Sequence, residues 1–232
     1  MTTLIQKVPV EKNAKRGWKV EIDGKPVDQV EKISITHPNF GELAYGMTPG
    51  GYDGWAFREN GGGGAVIVPY CIIHEMLRVG LVEQQRHNQG GKVLNVPRGF
   101  LSPGETHFQA AAREFTEETS LSVAPNEIVA LEGTPFNSNS AFFETVVEGD
   151  GVKCYAIKVD ESLLQRASDS DFGASRMFKP GVLKADPASQ KAKLAEQILG
   201  CVFIPARDAT LQGDMFTAAV VARLAASLGR IG

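Results

Sequence analysis

The chain has 232 residues, 24 of them basic and 27 acidic, for a formal charge of −3. That length suits one large domain or two small ones around a substantial core, and 43% hydrophobic with 22% charged residues excludes a wholly disordered chain. The near balance of charge excludes a globally basic surface for nucleic acid. Cys71, Cys154 and Cys201 are far apart with no C-x-x-C spacing, which supports neither a zinc knuckle nor a disulfide scaffold and suits a reducing compartment.

The opening residues, MTTLIQKVPVEKNAKRGW, contain no apolar segment of the length a signal peptide needs. The longest apolar run, Ala65 to Ile73, is too short to span a bilayer and contains Pro69. The expectation is a cytoplasmic protein with no membrane or nucleic-acid partner.

Residues 18–36 read as two short strands with Asp23-Gly24 as a turn signal between them. Residues 40–64 are rich in glycine and end in Gly61-Gly62-Gly63-Gly64, so they read as an irregular connection, because glycine loses the most freedom on ordering. The division expected is a small N-terminal β unit at 1–60 and a main domain at 61–232. That domain opens with a buried strand at 65–73, in which Pro69 should lie at an edge or bulge. A second strand at 76–87 and a short one near Val93–Val96 follow. After a Pro/Gly loop, a helix is expected from about Thr106 to Thr119, then strands at 127–133, 141–147 and 152–159. Residues 165–195, rich in Ser, Asp, Lys and Pro, read as an irregular insertion. A strand at Ile198–Ile204 and a helix from about Gly213 to Leu228 close the chain. Strands mixed with two spaced helices predict a layered α/β or α+β domain.

The chemistry concentrates in GFLSPGETHFQAAAREFTEETSL, Gly99 to Leu121. Glu114, Glu117 and Glu118 stand at i, i+3 and i+4, so a helix puts their carboxylates on one face. Like charges so placed repel unless a cation lies among them, and hard oxygen donors select Mg²⁺ or Mn²⁺ over zinc or copper. Phe108, Ala111, Ala112 and Phe115 form the opposite face, suited to packing on a sheet. Arg113 is placed to fix a glutamate rotamer by a bidentate pair. An E-x-x-E-E run by itself also fits a solvated acidic face; the loop before it separates the two readings.

With that loop included, the segment resembles the Nudix box, G-x5-E-x7-R-E-U-x-E-E-x-G-U with U bulky and aliphatic. Gly99, Glu105, Arg113, Glu114, Glu117, Glu118 and Leu121 match in one register. At residue frequencies of roughly 6%, the matched Gly, Glu and Arg positions rarely coincide by chance. Phe115 replaces an aliphatic residue, and Ser120 replaces the glycine after the helix. If that position needs a positive φ, serine costs on the order of 1 kcal/mol.

The resemblance implies an α/β/α sandwich with a mixed β-sheet, a loop–helix–loop site holding Mg²⁺ or Mn²⁺, and hydrolysis of a nucleoside diphosphate linked to another group. It implies Glu114 and Glu118 as direct metal ligands, Glu117 as a further ligand or water-positioning group, and the Arg98 carbonyl as an added oxygen. Gly99, Glu105 and Arg113 would order the site. Two further features resemble the ADP-ribose pyrophosphatase branch. Glu83-Gln84-Gln85-Arg86 is similar to its E-Q-x-R strand end, with Arg86 as the fixed charge for a substrate phosphate. Pro135, 15 residues beyond Ser120, matches a proline marking that subgroup. The branch also implies a homodimer formed with the N-terminal β unit, where Trp18, Tyr52, Trp55 and Phe57 offer aromatic faces for adenine or for a dimer core. A further glutamate after the box is implied as general base; Glu196 is the best positional candidate, with Glu144 and Glu161 competing.

ADP-ribose, cleaved to AMP and ribose 5-phosphate, is therefore the expected substrate. Another nucleoside diphosphate sugar or a dinucleotide remains open, because loops around the box choose the substrate. A ligand-sensing or partner-binding module with little turnover also remains open, motivated by Ser120.

Overall fold

The computed structural model describes residues 63–86, 90–122, 124–135, 151–167, 178–180 and 198–230, together with the backbone of five strands between 21 and 59. It divides into two compact units, one containing those five strands and the other comprising Gly64–Pro135 and Val152–Gly232.

In the first unit, β1 (Glu21–Ile22) pairs with β2 (Lys25–Pro26) where the sequence signals a turn. β3 (Ile33–His37), β4 (Gly41–Met47) and β5 (Asp53–Glu59) form an antiparallel three-stranded sheet with β4 in the middle. This corrects the expectation that 40–64 is irregular. Pairing along both edges of β4 outweighs the entropy its glycines lose, and Gly46 faces Gly54 directly in the ladder.

The second unit is built on a nine-stranded sheet. Its first strands are β6 (Gly63–Ile73), β7 (Met76–Arg86), β8 (Gly91–Asn95) and β9 (Arg98–Phe100). They are followed by β10 (Ile128–Ala130), β11 (Gly151–Lys158), β12 (Leu164–Arg166), β13 (Phe178–Pro180) and β14 (Ile198–Pro205). The spatial order is β10-β11-β6-β7-β14-β13-β12, with β8 paired to β7 and β9 to β6. Most pairs are antiparallel, but β6 and β11 run the same way. Gly63 and Gly151 adjoin at their starts, and Val159 N–H donates to the Tyr70 carbonyl at their ends. The sheet is therefore mixed.

Ala65, Val66, Ile67 and Val68 are all essentially inaccessible, as expected of a strand covered on both faces. Pro69 falls where β6 exchanges one partner for another, after its pairs with β9 at 64–66 and before those with β7 at 70–73. Its missing N–H thus interrupts no pair of these two ladders. The β6–β7 hairpin turns through His74 and Glu75, both at positive φ, a conformation no local glycine announces.

Helix α1 (His107–Thr119) lays Ala110, Ala111 and Phe115 on one sheet face, against Ala65, Ile67, Cys71, Ile73, Tyr155, Ile157 and Phe203. The alternate side chains Val66 and Val68 are equally buried, so the second face is covered as well. There the short helix α2 (Ala206–Thr210) contacts β7 and β14 and packs on α3 (Met215–Ser227), whose Val220, Val221 and Leu224 are buried. The result is the expected helix–sheet–helix layering. The strand expected at 127–133 shortens to β10 after a single 3-10 turn at Pro125–Glu127, and the one at 141–147 lies outside the described residues. The insertion at 165–195 is not wholly irregular, since β12 and β13 pair within and beside it. Three-residue strands carry no readable period, so only the ladder reveals them. The three cysteines are free and buried, and burial pushes the Cys71 thiol up to about 12 and the Cys154 thiol up to about 11. No helix among the described residues is long and apolar enough to cross a membrane.

Candidate functional site

The acidic segment folds as a loop feeding α1 from the edge of the sheet. Thr106 caps the helix in a reciprocal box: Gln109 N–H donates to the Thr106 hydroxyl, and Thr106 N–H donates to the Gln109 side chain. The T-x-x-Q spelling of that box went unread in the sequence. At the other end Ser120 sits at φ 61°, and its N–H donates to the Thr116 carbonyl at 3.0 Å. The position does require the left-handed conformation that glycine adopts freely, and serine adopts it without displacing the helix. Ser120→Gly should raise thermal stability by about 0.5–1 kcal/mol by relieving the Cβ contact, measured as an upward shift of the melting temperature. An unchanged or lower melting temperature would contradict the strain.

Arg113 is the hub. Its Nε and Nη2 donate to the two oxygens of Glu105, each at 2.9 Å, forming the bidentate pair. Nη2 also donates to the Phe100 carbonyl at 3.0 Å, while Nη1 donates to Glu114 at 2.5 Å and Glu117 at 3.3 Å. The guanidinium therefore ties the loop (Phe100, Glu105) to the helix (Glu114, Glu117). The hydrogen bond from Arg113 is the chief reason the Glu105 carboxyl titrates below its ordinary range, and Glu105 in turn raises the guanidinium's pKa. A depressed carboxyl pKa contributes stability above the unfolded value of about 4.3 and loses it as pH falls through the folded value. On acidification from about pH 5, the wild type should lose more stability than Glu105→Gln; parallel losses in thermal melts would refute the linkage.

Glu114 and Glu118 are buried, whereas Glu117 keeps a third of its side chain exposed. Gly99 creates the space for Glu114: a Cβ at that position would overlap the Glu114 carboxylate. Glu118 accepts the Arg98 N–H at 3.1 Å. The register places Ala65 opposite Gly99 and Val66 opposite Arg98, and Ile67 N–H donates to the Pro97 carbonyl. Pro97 and Gly99 thus turn their backbone groups toward β6, and Arg98 turns both its N–H and its carbonyl to the open edge, where Glu118 lies.

The sequence-expected residues Arg98, Gly99, Glu105, Arg113, Glu114, Glu117 and Glu118 are thereby brought together. Among the described residues, no three His, Cys, Asp or Glu side chains converge on a point as a ready metal cage, since Arg113 bridges Glu114 and Glu117. The donors nevertheless fit a hard divalent cation: three carboxylates, Glu105, Glu114 and Glu117, share the Arg113 guanidinium, Glu114 and Glu118 are buried, and the Arg98 main-chain carbonyl is directed to the edge where Glu118 lies.

Arg86 ends β7 opposite Gly91 of β8, half-buried, and its Nε donates to Gln84 at 2.6 Å. Pro135 follows Thr134, whose carbonyl accepts from Arg223 of α3 at 2.7 Å. Glu161 is exposed on a single 3-10 turn, whereas Glu144 and Glu196 lie outside the described residues. Two residues went unread in the sequence. Asp214, at the N-cap of α3, bonds the Arg98 side chain, and Phe216 lies under the same guanidinium at 4.8 Å. The D-x-x-T cap signal was visible, but its link to Arg98 spans 116 residues.

Several solved structures are similar to this chain at low identity. The NUDIX domain of Shewanella oneidensis NrtR complexed with ADP ribose is 17% identical over 72% of this chain and 87% of that one, with a TM-score of 0.44. An ADP compounds hydrolase is 13% identical over 86% and 93%, at 0.49. A C. elegans Ap4A hydrolase is 16% identical over 72% and 98%, at 0.44. No curated protein matches the chain significantly. The NUDIX domain family model matches residues 65–198, more than half of the sequence and the whole stretch from Arg98 to Glu118, and the chain belongs to the Nudix family.

Proposed function

We propose that this protein hydrolyses the pyrophosphate bond of a nucleoside diphosphate derivative, with ADP-ribose, cleaved to AMP and ribose 5-phosphate, as its substrate. The observation that carries the reading is that Arg113 ties Glu114 and Glu117 together on one face of α1 while Glu118, on the same helix, meets the Arg98 main chain at the open edge of β9. In this reading Glu114, Glu118 and the Arg98 carbonyl hold Mg²⁺ or Mn²⁺, with Glu117 as a further ligand or as the group that positions water. A divalent ion so bound neutralises phosphate charge and lowers the pKa of a bound water. Arg113 restrains the Glu114 and Glu117 rotamers, and Glu105 restrains Arg113, so little ordering is left for the moment of reaction. Arg86 supplies a non-titrating charge for a substrate phosphate, Pro135 shapes the loop beyond the helix, and Glu196 acts as general base. Residues 1–60 contribute to a cytoplasmic homodimer, and 61–232 form the catalytic domain.

Arg86 and Pro135 support ADP-ribose over another nucleoside diphosphate sugar or a dinucleotide. Incubation of the pure protein with ADP-ribose and Mg²⁺ tests the assignment: AMP must form faster than with Glu118→Gln. A substrate panel in which a different pyrophosphate is turned over far better would reassign the substrate and leave the chemistry standing. A module without turnover draws little support from Ser120, because that residue adopts the backbone conformation the glycine would. Tight ADP-ribose binding with no hydrolysis under several divalent metals would restore it.

A further inference from the structure

The short segment Val96-Pro97-Arg98 is gripped from both sides. On one side, Pro97 accepts the Ile67 N–H, and Arg98 stands opposite Val66 in the ladder. On the other side the grip comes from the first turn of α3. Val96 N–H donates to the Thr217 hydroxyl at 3.1 Å, and that hydroxyl donates to Asp214 Oδ2 at 2.7 Å. The same carboxylate accepts the Thr217 N–H at 2.9 Å. It also accepts Arg98 Nη1, at 2.9 Å to Oδ1 and 3.1 Å to Oδ2. Thr217 is fully buried, and the Asp214 side chain is only 10% exposed, so solvent screens this pair weakly. Phe216 completes the seat by placing its ring against the guanidinium.

One carboxylate therefore caps α3 and also anchors the side chain of the residue whose main chain meets Glu118. We infer that Asp214 is a positioning residue for the cation site: through Arg98 it sets where the Arg98 carbonyl and N–H stand relative to Glu118. This inference rests on the functional reading above. It adds that the C-terminal helix, outside the acidic motif, tunes that motif's metal affinity. Without the anionic partner the Arg98 side chain is released, and the edge of β9 gains freedom just where an oxygen donor is needed.

Three variants separate positioning from capping. Asparagine is as good an N-cap as aspartate, whereas glutamate lacks the cap geometry but keeps the charge. If Asp214 only caps the helix, melting temperature, Mn²⁺ affinity and kcat should all rank Asp ≈ Asn above Glu. Positioning predicts a different order for function: Asp214→Asn melts within a few degrees of wild type, yet its Mn²⁺ affinity by calorimetry and its kcat fall about tenfold with KM little changed. Asp214→Glu should recover part of both losses despite melting lower. Arg98→Met should reproduce the Asp214→Asn phenotype, and the double variant should be no worse than the worse single change. Wild-type Mn²⁺ affinity in Asp214→Asn, or losses that multiply in the double variant, would overturn the inference. A wild-type protein inactive on every pyrophosphate would instead defeat the functional reading, and the Mn²⁺ titration would still decide the role of Asp214.

Discussion

Glu118→Gln should lose roughly two to three orders of magnitude in turnover, because a direct metal ligand contributes several kcal/mol to the barrier, while the protein stays folded. Both halves of that expectation follow from geometry. Glutamine keeps the volume and an acceptor oxygen, so it can still receive the Arg98 N–H at the buried end of α1. The change also removes one of two like charges at i and i+4, which repel on a helix by a few tenths of a kcal/mol. Thermal stability measured without metal should therefore be unchanged or slightly higher. Such a pairing of lost turnover with retained stability would mark the carboxylate as placed for function at the expense of the helix. Turnover within about threefold of wild type, with metal in excess, would remove Glu118 from the ligand set and leave the acidic face without a chemical role.

The second large effect is expected of Gly99→Ala. The added Cβ would meet the far end of the Glu114 side chain, not an immovable backbone atom. Glu114 can move aside, and overpacking of this kind costs about 1–3 kcal/mol, measurable by denaturant unfolding. Its carboxylate, however, is the proposed metal ligand and is bonded to Arg113. Displacing it should cut turnover by about a hundredfold, in line with losses when the groups orienting a metal are disturbed. The loss of function should thus exceed what the loss of stability explains at a temperature where the variant remains folded. A fully active Gly99→Ala would show that the close approach of Glu114 to β9 is incidental.

Much of this protein could be read without its structure, because several features are local. The helix over 107–119 follows from apolar spacing, and the spacing of Glu114, Glu117 and Glu118 places them on one face by helical geometry alone. Long apolar strands such as β6, β7 and β14 declared themselves by composition. The glycine-rich stretch misled because propensity is a local cost and the ladders of β4 are a non-local gain. Similarly, β12 and β13 are too short for any pattern to show.

What the order of residues determined by itself was which chemical groups occur and at what spacing: the acidic helix face, its arginine and the preceding glycine. Only the tertiary structure decided which groups meet. Gly99 is small because Glu114 packs across it. The Arg98 main chain faces Glu118 because the β6–β9 register turns its amides outward. Asp214 reaches Arg98 although 116 residues separate them. Periodicity reports the face a side chain takes on its own element, whereas these contacts depend on strand register and helix docking, which are set by the packing of the whole core.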